Sequence, residues 1–307
     1  MPDYHLKIDY FAVKYDLGFG SFSTVKCVTF DKKYKYESPF PDKEMVFALK
    51  CSTKEKVKEL NCMEHLGRER DILREIDHPF IIKFYCEFED TDFLYYLLEC
   101  VQGKELYSIL FDECGFSEEC SRFYAASVLL AFSDLHNKKI AYRDIKPENI
   151  MLGSDGFIKM VDFGFSKKID KGKTFTFLGT PDYFAPEIIC NEGHDIAVDY
   201  WGLGVFIFEM VDGSPPFSSE SELEIYQNIM SGRINFPIDF SCDLKNLISC
   251  LCDTDQTKRL GRIKGGSDTV MKHSWFSDVT WKNLLSKKAT PPFVPSKDGH
   301  YVKSMVR

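Results

Sequence analysis

A chain of 307 residues, 44% of them hydrophobic, is long enough to bury a sizeable core as one large domain or as two lobes. Its formal net charge of −8 argues against binding to the phosphate backbone of nucleic acid and favours cationic partners. The 11 cysteines form no CxxC pair, no secretory leader precedes residue 10, and the longest mostly apolar run, 201–211, is too short to span a bilayer, so reduced thiols and a cytoplasmic location, with nuclear entry open, are expected.

Up to residue 99, short β-favouring runs at 10–14, 24–30, 45–51, 81–88 and 93–98 surround one helical stretch at 54–76. The first two runs are joined by a glycine turn, LGFGSFSTV at 17–25, in which backbone N–H groups can approach phosphate oxygens closely. Ser23 stands where the third glycine of G-x-G-x-x-G would be, and a β-favouring run follows instead of the helix that a dinucleotide fold requires. Residues 31–44, polar and containing Pro39 and Pro41, read as a loop between strands. Lys50 ends the apolar run VFALK, where its ammonium must snorkel out or find an anion. The helical stretch supplies one: Val57, Leu60, Met63, Leu66, Ile72, Leu73 and Ile76 form an apolar stripe with Glu69 inside it. A carboxylate on a buried face needs a partner, and Lys50 is the available cation.

After residue 99 the periodicity is mainly helical, at 116–135, 196–211, 222–230 and 244–252, with short strands at 149–152 and 157–161 about the turn GSDG. The expected fold is α+β, with a small β-rich lobe at 1–99 and a larger, mostly helical lobe at 100–307. YRDIKPEN at 142–149 crowds acids, bases and an amide into one turn-prone segment. Asp162-Phe163-Gly164 follows a strand, 18 residues after Asp144, and Asn149 lies five after it. Two acids and an amide can therefore converge on a hard divalent cation such as Mg2+, which prefers oxygen ligands and shares them with phosphates.

The glycine turn, the lysine, the helix glutamate, YRDIKPEN, DFG and Ala185-Pro186-Glu187 occur in an order that resembles a eukaryotic protein kinase over nearly the whole chain. Lys146 resembles the serine/threonine form of the catalytic loop. Tyr142, HPF at 78–80, GTPDYFAPE at 179–187 and TKRLG with a downstream HSWF resemble the AGC group, and FSEECSRFYAA at 116–126 resembles its cyclic-nucleotide-dependent members. The resemblance implies a bilobal fold that transfers the γ-phosphoryl group of ATP, with Mg2+, to serine or threonine. It implies that Asp144 accepts or orients the hydroxyl proton, that Lys146 neutralises the moving phosphoryl group, and that Thr180 belongs to the same catalytic set. Asn149 and Asp162 would hold Mg2+, and Lys50, fixed by Glu69, the α and β phosphates.

Further implied nucleotide contacts are Leu17, Gly18, Gly20, Ser21, Phe22, Val25, Ala48, Glu148 and Met151, the hinge backbone of Glu99 and Val101, and Glu105 at the ribose, with Leu98 as gatekeeper. Asp199 would receive backbone N–H groups at Tyr142 and Arg143, and Leu73, Phe84, Tyr142 and Phe163 match the family's apolar spine. Thr176 matches the activating phosphorylation site, with Thr174 its nearest alternative and Arg143, Lys167 and His65 as phosphate receivers. Glu105, Glu148 and Glu209 match carboxylates that take arginines two and three residues before the target. Phe177, Pro181 and Phe184 match the apolar pocket just after it, and Phe165 favours serine, giving Arg-Arg-x-Ser/Thr-hydrophobic.

The implied partners are proteins with basic sites and a cyclic-nucleotide-binding regulatory subunit or domain, with no nucleic acid and no membrane segment. Two features depart from the family pattern: the 31–44 loop, and the absence after Pro295 of the aromatic tail that covers the small lobe. Either the chain is truncated there, or the helix carrying Glu69 is supported some other way, with the groove so left filled by a partner or by that loop. A pseudokinase acting as a nucleotide-binding scaffold is the alternative; it requires loss of Lys50, Asp144, Asn149 or Asp162, and all four are present.

Overall fold

The computed structural model describes residues 6–20, 23–34, 39–40, 45–60, 62–169, 172–295 and 301–303. The architecture is α+β, and the chain divides into two compact units, Met1–Asp77 with Ile82–Gln102 and His78–Ile81 with Gly103–Arg307, so the division falls after Gln102 rather than Glu99.

The first unit is built on a five-stranded antiparallel sheet in the order β1-β2-β3-β5-β4, formed by β1 (Phe11–Phe19), β2 (Ser23–Phe30), β3 (Val46–Thr53), β4 (Phe84–Glu89) and β5 (Phe93–Glu99). Side chains alternate between the faces of a strand, so register decides what each face carries. Val25 lies opposite Lys50, and Ala48 opposite both Cys27 and Leu98, which places Val25, Cys27, Ala48, Lys50 and Leu98 on one face. The other face packs Val28, Phe30, Phe47, Leu49, Tyr95 and Leu97 into a core with Leu6, Phe11 and Phe40. Phe40, from the 31–44 loop, sits with its ring 4.9 Å from Phe47 and 5.2 Å from Tyr85. The described part of that loop therefore covers the face opposite Lys50.

The helical stretch expected at 54–76 is two helices, α1 (Lys54–Glu59) and α2 (Met63–Arg74). The chain leaves helical geometry at the junction: Leu60 N–H still reaches Lys56 O, but Cys62 N–H reaches back to Val57 O, closing a wider turn. Likewise the run at 81–88 is a strand only from Phe84, because Ile81 bridges Met160 in the second unit. Helix α2 is seated on the sheet by Tyr96, whose hydroxyl donates to Leu66 O at 3.0 Å, and by Arg70 and Arg74, which share Glu87.

The second unit opens with β6 (Gly103–Glu105) and the short helix α3 (Leu106–Glu113), then α4 (Glu118–Asn137), whose N-cap Ser117 accepts from Cys120 N–H. Strand β7 (Ile140–Ala141) pairs with β10 (Lys167–Lys168), and β8 (Ile150–Gly153) joins β6 to β9 (Ile158–Met160). The turn between β8 and β9 needs Gly156: φ is +77°, and a Cβ there would meet Phe293 O at 2.4 Å. Helices α5 (Pro186–Ile189), α6 (Ala197–Asp212), α7 (Glu222–Ser231), α8 (Cys242–Leu251), α9 (Ser267–Met271) and α10 (Trp281–Leu285) follow, then the hairpin of β11 (Phe293–Pro295) and β12 (Tyr301–Lys303). Every residue of α6 from Ala197 to Met210 is buried, as its uninterrupted apolar run demands. Arg259 is fully buried, forms a two-pronged pair with Glu187 at 2.6 and 2.9 Å, and lies over the Trp201 ring. Among the described residues no helix is long and apolar enough to cross a membrane.

Candidate active site

In the first unit the β1–β2 hairpin carries the glycines, with Gly18 opposite Val25 and Gly20 N–H donating to Ser23 O at 2.7 Å. Leu17 is exposed at the hairpin, and Ser21 and Phe22 lie outside the described residues. On the face shared by Val25 and Ala48, Lys50 Nζ donates to both carboxylate oxygens of Glu69, each at 2.7 Å. Glu69 is 4% exposed, so this pair answers the carboxylate that interrupts the apolar stripe. Glu99 N–H is taken by Lys83 O at 2.8 Å, and Val101 follows in the half-buried segment that leaves β5. Leu98 is buried beside Ala48. Leu73 and Phe84 are buried too.

In the second unit the catalytic-loop segment is pinned from beneath by Asp199 in the first turn of α6. Its Oδ2 accepts from Tyr142 N–H at 2.9 Å and its Oδ1 from Arg143 N–H at 2.7 Å. Arg143 has φ = 71°, a left-handed conformation that a non-glycine residue holds only when its surroundings impose it. His136, in the last turn of α4, has Nε2 2.7 Å from Asp199 Oδ2, the oxygen that accepts from Tyr142, and Nδ1 3.0 Å from Tyr200 Oη, which in turn meets Ser267 Oγ at 2.9 Å. Nothing in the local sequence marked His136 for this role.

Asp144 is 5% exposed. Asn149 Nδ2 donates to its Oδ2 at 2.6 Å and to its backbone O at 2.8 Å; Lys146 Nζ stands 3.4 Å from Oδ2, and the Thr180 hydroxyl donates to Oδ1 at 3.4 Å. Lys146 Nζ also donates to Thr180 Oγ1 at 2.8 Å, closing a ring of groups around one carboxylate. Burial pushes the Asp144 carboxyl above the usual range, opposed by the Lys146 charge and the Asn149 hydrogen bond. Phe163 packs its ring 5.1 Å from Tyr142, both fully buried, which fixes the start of the DFG segment. Val161 N–H donates to Asn149 O at 3.1 Å, bringing Asp162 alongside. Asn149 spends Nδ2 on Asp144, so Oδ1 is what it can offer a cation; Asp162 is exposed and spends Oδ1 on Gly164 N–H. Two hard oxygen donors on neighbouring segments fit Mg2+.

The segment between DFG and APE is docked by a two-residue ladder in which Thr174 and His194 exchange N–H···O bonds of 2.8 Å. Lys167 Nζ donates to Thr174 Oγ1 at 2.7 Å, not to Thr176, whose hydroxyl lies 3.1 Å from that of Thr174. Arg143 Nε donates to Phe165 O at 2.7 Å and its Nη1 lies 3.5 Å from His194 Nε2. Burial, with the Arg143 charge beside it, pushes His194 down to about 4, so it is neutral at physiological pH. His65 belongs to α2 of the first unit.

Glu105, exposed at the N-cap of α3, lies opposite Met151 in the β6–β8 register, and Glu148 is exposed in YRDIKPEN. Glu209 is buried and accepts from the Tyr183 hydroxyl; burial, opposed by that hydrogen bond and assisted by the charges of Glu148 and Asp182, pushes it up to about 7. Asp182 thus joins Glu148 and Glu209 as a third carboxylate of this cluster, and its place inside GTPDYFAPE was a signal that could have found it. Phe177, half exposed, meets the buried Phe184 ring at 4.9 Å, with Pro181 opening the intervening turn.

A protein kinase domain profile matches residues 11–276. The chain is 46% identical over 249 residues to the cAMP-dependent protein kinase catalytic subunit of Dictyostelium discoideum, covering 81% of this chain and 38% of that protein. It is 44% identical over 253 residues to the human cAMP-dependent protein kinase catalytic subunit PRKX, covering 82% of this chain and 70% of that protein. It is also 42% identical over 279 residues to rat cGMP-dependent protein kinase 2, covering 90% of this chain and 35% of that protein. The chain therefore spans well under half the length of two of these three relatives. A buried carboxylate ringed by lysine, asparagine and threonine, a strand lysine paired with a helix glutamate, and this breadth of similarity lead to one assignment: the chain belongs to the protein kinase family, as a serine/threonine kinase domain of the AGC type.

Proposed function

We propose that this domain transfers the γ-phosphoryl group of ATP to serine or threonine in proteins that carry arginines two and three residues before the target and an apolar residue after it. The observation that carries the proposal is the ring around Asp144. A hydroxyl entering beside Thr180 meets a carboxylate whose proton affinity is raised by burial and whose orientation is locked by Asn149. Lys146, held on Thr180, places a fixed positive charge next to the site of proton transfer. Lys50, braced by Glu69, presents its ammonium to the phosphates without having to find its position during the reaction. Mg2+, held by Asn149 and Asp162, neutralises phosphate charge when bound.

The substrate preference rests on the carboxylates Glu105, Glu148 and Glu209, which accept paired guanidinium bonds, and on the Phe177–Phe184 pocket. Activation rests on Thr176: a phosphate there adds −1.5 to −2 charges within reach of the Thr174–Lys167 pair, and draws Lys167 and Arg143 toward itself. The names of the relatives support a cyclic-nucleotide-binding regulatory partner, separate or fused.

A peptide library phosphorylated with ATP and Mg2+ tests this. The expected profile is Arg-Arg-x-Ser/Thr-hydrophobic. Acidic or proline-directed sites would overturn the substrate assignment, and nucleotide binding without any turnover would overturn the reaction.

A further inference from the structure

Helix α3 begins directly after Glu105, which stands at its N-cap. It buries Leu106, Ile109 and Leu110 and lies against the Pro147–Asn149 turn and β8. Its outer face carries Tyr107 and Phe111, about one helical turn apart, with ring centroids separated by 6.4 Å and planes inclined by 30°. Tyr107 is 43% exposed and Phe111 72%. A single exposed aromatic residue is ordinary surface, but here two of them stack next to a carboxylate assigned to the substrate.

The subsites proposed above give the substrate a direction. The Phe177–Phe184 pocket takes the residue after the target, Glu148 and Glu209 the arginine two residues before it, and Glu105 the arginine three before it. Upstream of that arginine, the side chains that adjoin Glu105 are those of α3. Phe111 lies six residues on from Glu105. At the rise of an α-helix that is about 9 Å, the span of about three residues of extended chain, so the ring pair stands level with the sixth residue before the target. From Leu106 to Phe111 the helix carries no charged residue, so the pair suits an apolar side chain rather than a third arginine.

We propose that Tyr107 and Phe111 form a further substrate subsite, for an aromatic or large aliphatic residue about six positions before the phosphorylated serine; the inference rests on the Arg-Arg reading above. The pair touches no reacting atom, so it contributes binding shared by ground and transition state, which lowers KM and leaves kcat in place. Steady-state kinetics of the full chain on Phe-Ala-Ala-Arg-Arg-Ala-Ser-Leu, and on the same peptide with alanine or arginine in place of phenylalanine, test it. KM for the phenylalanine peptide should be about five- to tenfold below that for the alanine peptide, with kcat equal. Tyr107→Gln/Phe111→Gln, which keeps good helix formers on an exposed face, should bring that ratio to about one without changing the alanine peptide's kinetics, while Tyr107→Phe should preserve it. A ratio near one in the wild type, a preference for the arginine peptide, or a ratio that survives in the double variant would each overturn the proposal. So would a wild-type dimer that the double variant dissociates in sedimentation, because a second copy would then cover the rings. Replacing both arginines by alanine separates the two readings: if turnover is unaffected, the Arg-Arg reading fails and this one with it, whereas an arginine requirement with a ratio near one defeats this one alone.

Discussion

In the first unit the Lys50 ammonium is braced by a carboxylate that arrives on a separate helix, whereas in the second unit Asp144 is gripped largely from its own loop. Asn149 and Lys146 hold Asp144 from within YRDIKPEN, Thr180 closes on it, and Asp199 fixes the backbone of the two preceding residues, Tyr142 and Arg143. Helix α2 is also tied to the sheet by the buried Tyr96 hydroxyl and by partly exposed arginine pairs, the latter of which contribute little. A carboxylate touched by three side chains, two of them from its own loop, resists displacement. Lys50 is braced from another element, so the placement of α2 decides where its ammonium stands.

The largest effect is expected where the grip is tightest. Asp144→Asn keeps the shape and the Asn149 contact but removes the proton acceptor, so kcat should fall by about 10²–10⁴-fold with KM for ATP nearly unchanged, as steady-state kinetics would show. A comparable rise in KM instead would mean that Asp144 serves nucleotide binding.

Lys50→Met probes the other side. It fits an apolar strand position but leaves Glu69 buried without its cation, at a cost of about 3–5 kcal/mol to folding. Turnover should fall by orders of magnitude. In the double variant Lys50→Met/Glu69→Leu, denaturant unfolding should recover most of that stability while activity stays lost; failure of stability to recover would show that the pair is not what couples α2 to the sheet.

Asp199→Ala should unfasten the catalytic loop without touching a reacting atom. Two buried N–H groups lose their acceptor, each costing about 1–3 kcal/mol, and Arg143 loses what holds it at positive φ. A thermal melt shifted downward together with reduced kcat is the expected outcome. An unchanged melt would mean that the loop is fixed elsewhere.

The smallest effect is a pH dependence. Glu209 titrates near 7, so below that pH it is protonated and accepts an arginine poorly. For a peptide with arginine two residues before serine, kcat/KM should fall as pH drops from 8 to 6, approaching about tenfold per unit below 7 in the limit where that contact dominates. A peptide with alanine there should lack the step. At fixed pH 8, Glu148→Gln should weaken the arginine peptide by about 1–3 kcal/mol and barely alter ATP affinity.

The strands of the first unit and the four long helices of the second were legible because their apolar periods are strong. The Lys50–Glu69 pair was legible because each residue broke an apolar run and only one partner was at hand. The same stripe misled at 60–63: Leu60 and Met63 continue the helical period but are 53% and 49% exposed, and the chain breaks between them. Local periodicity cannot report a turn whose hydrogen bonds still look helical on one side. Contacts that neither a broken apolar run nor a motif marked were not legible. Arg259 meets Glu187 and His136 meets Asp199 because of how the helices pack, and Lys167 reaches Thr174 seven residues on because of how the segment after DFG folds; no spacing rule announces those partners.

Phosphoryl transfer directed by Asp144 can be observed directly. The most direct measurement is transfer of labelled γ-phosphate from ATP, with Mg2+, to an Arg-Arg-Ala-Ser-Leu peptide by the wild-type chain after phosphorylation of Thr176, with Asp144→Asn measured in parallel. Label is expected on the serine with the wild type and almost none with the variant. Label transferred equally by both, or by neither while ATP still binds, would contradict it.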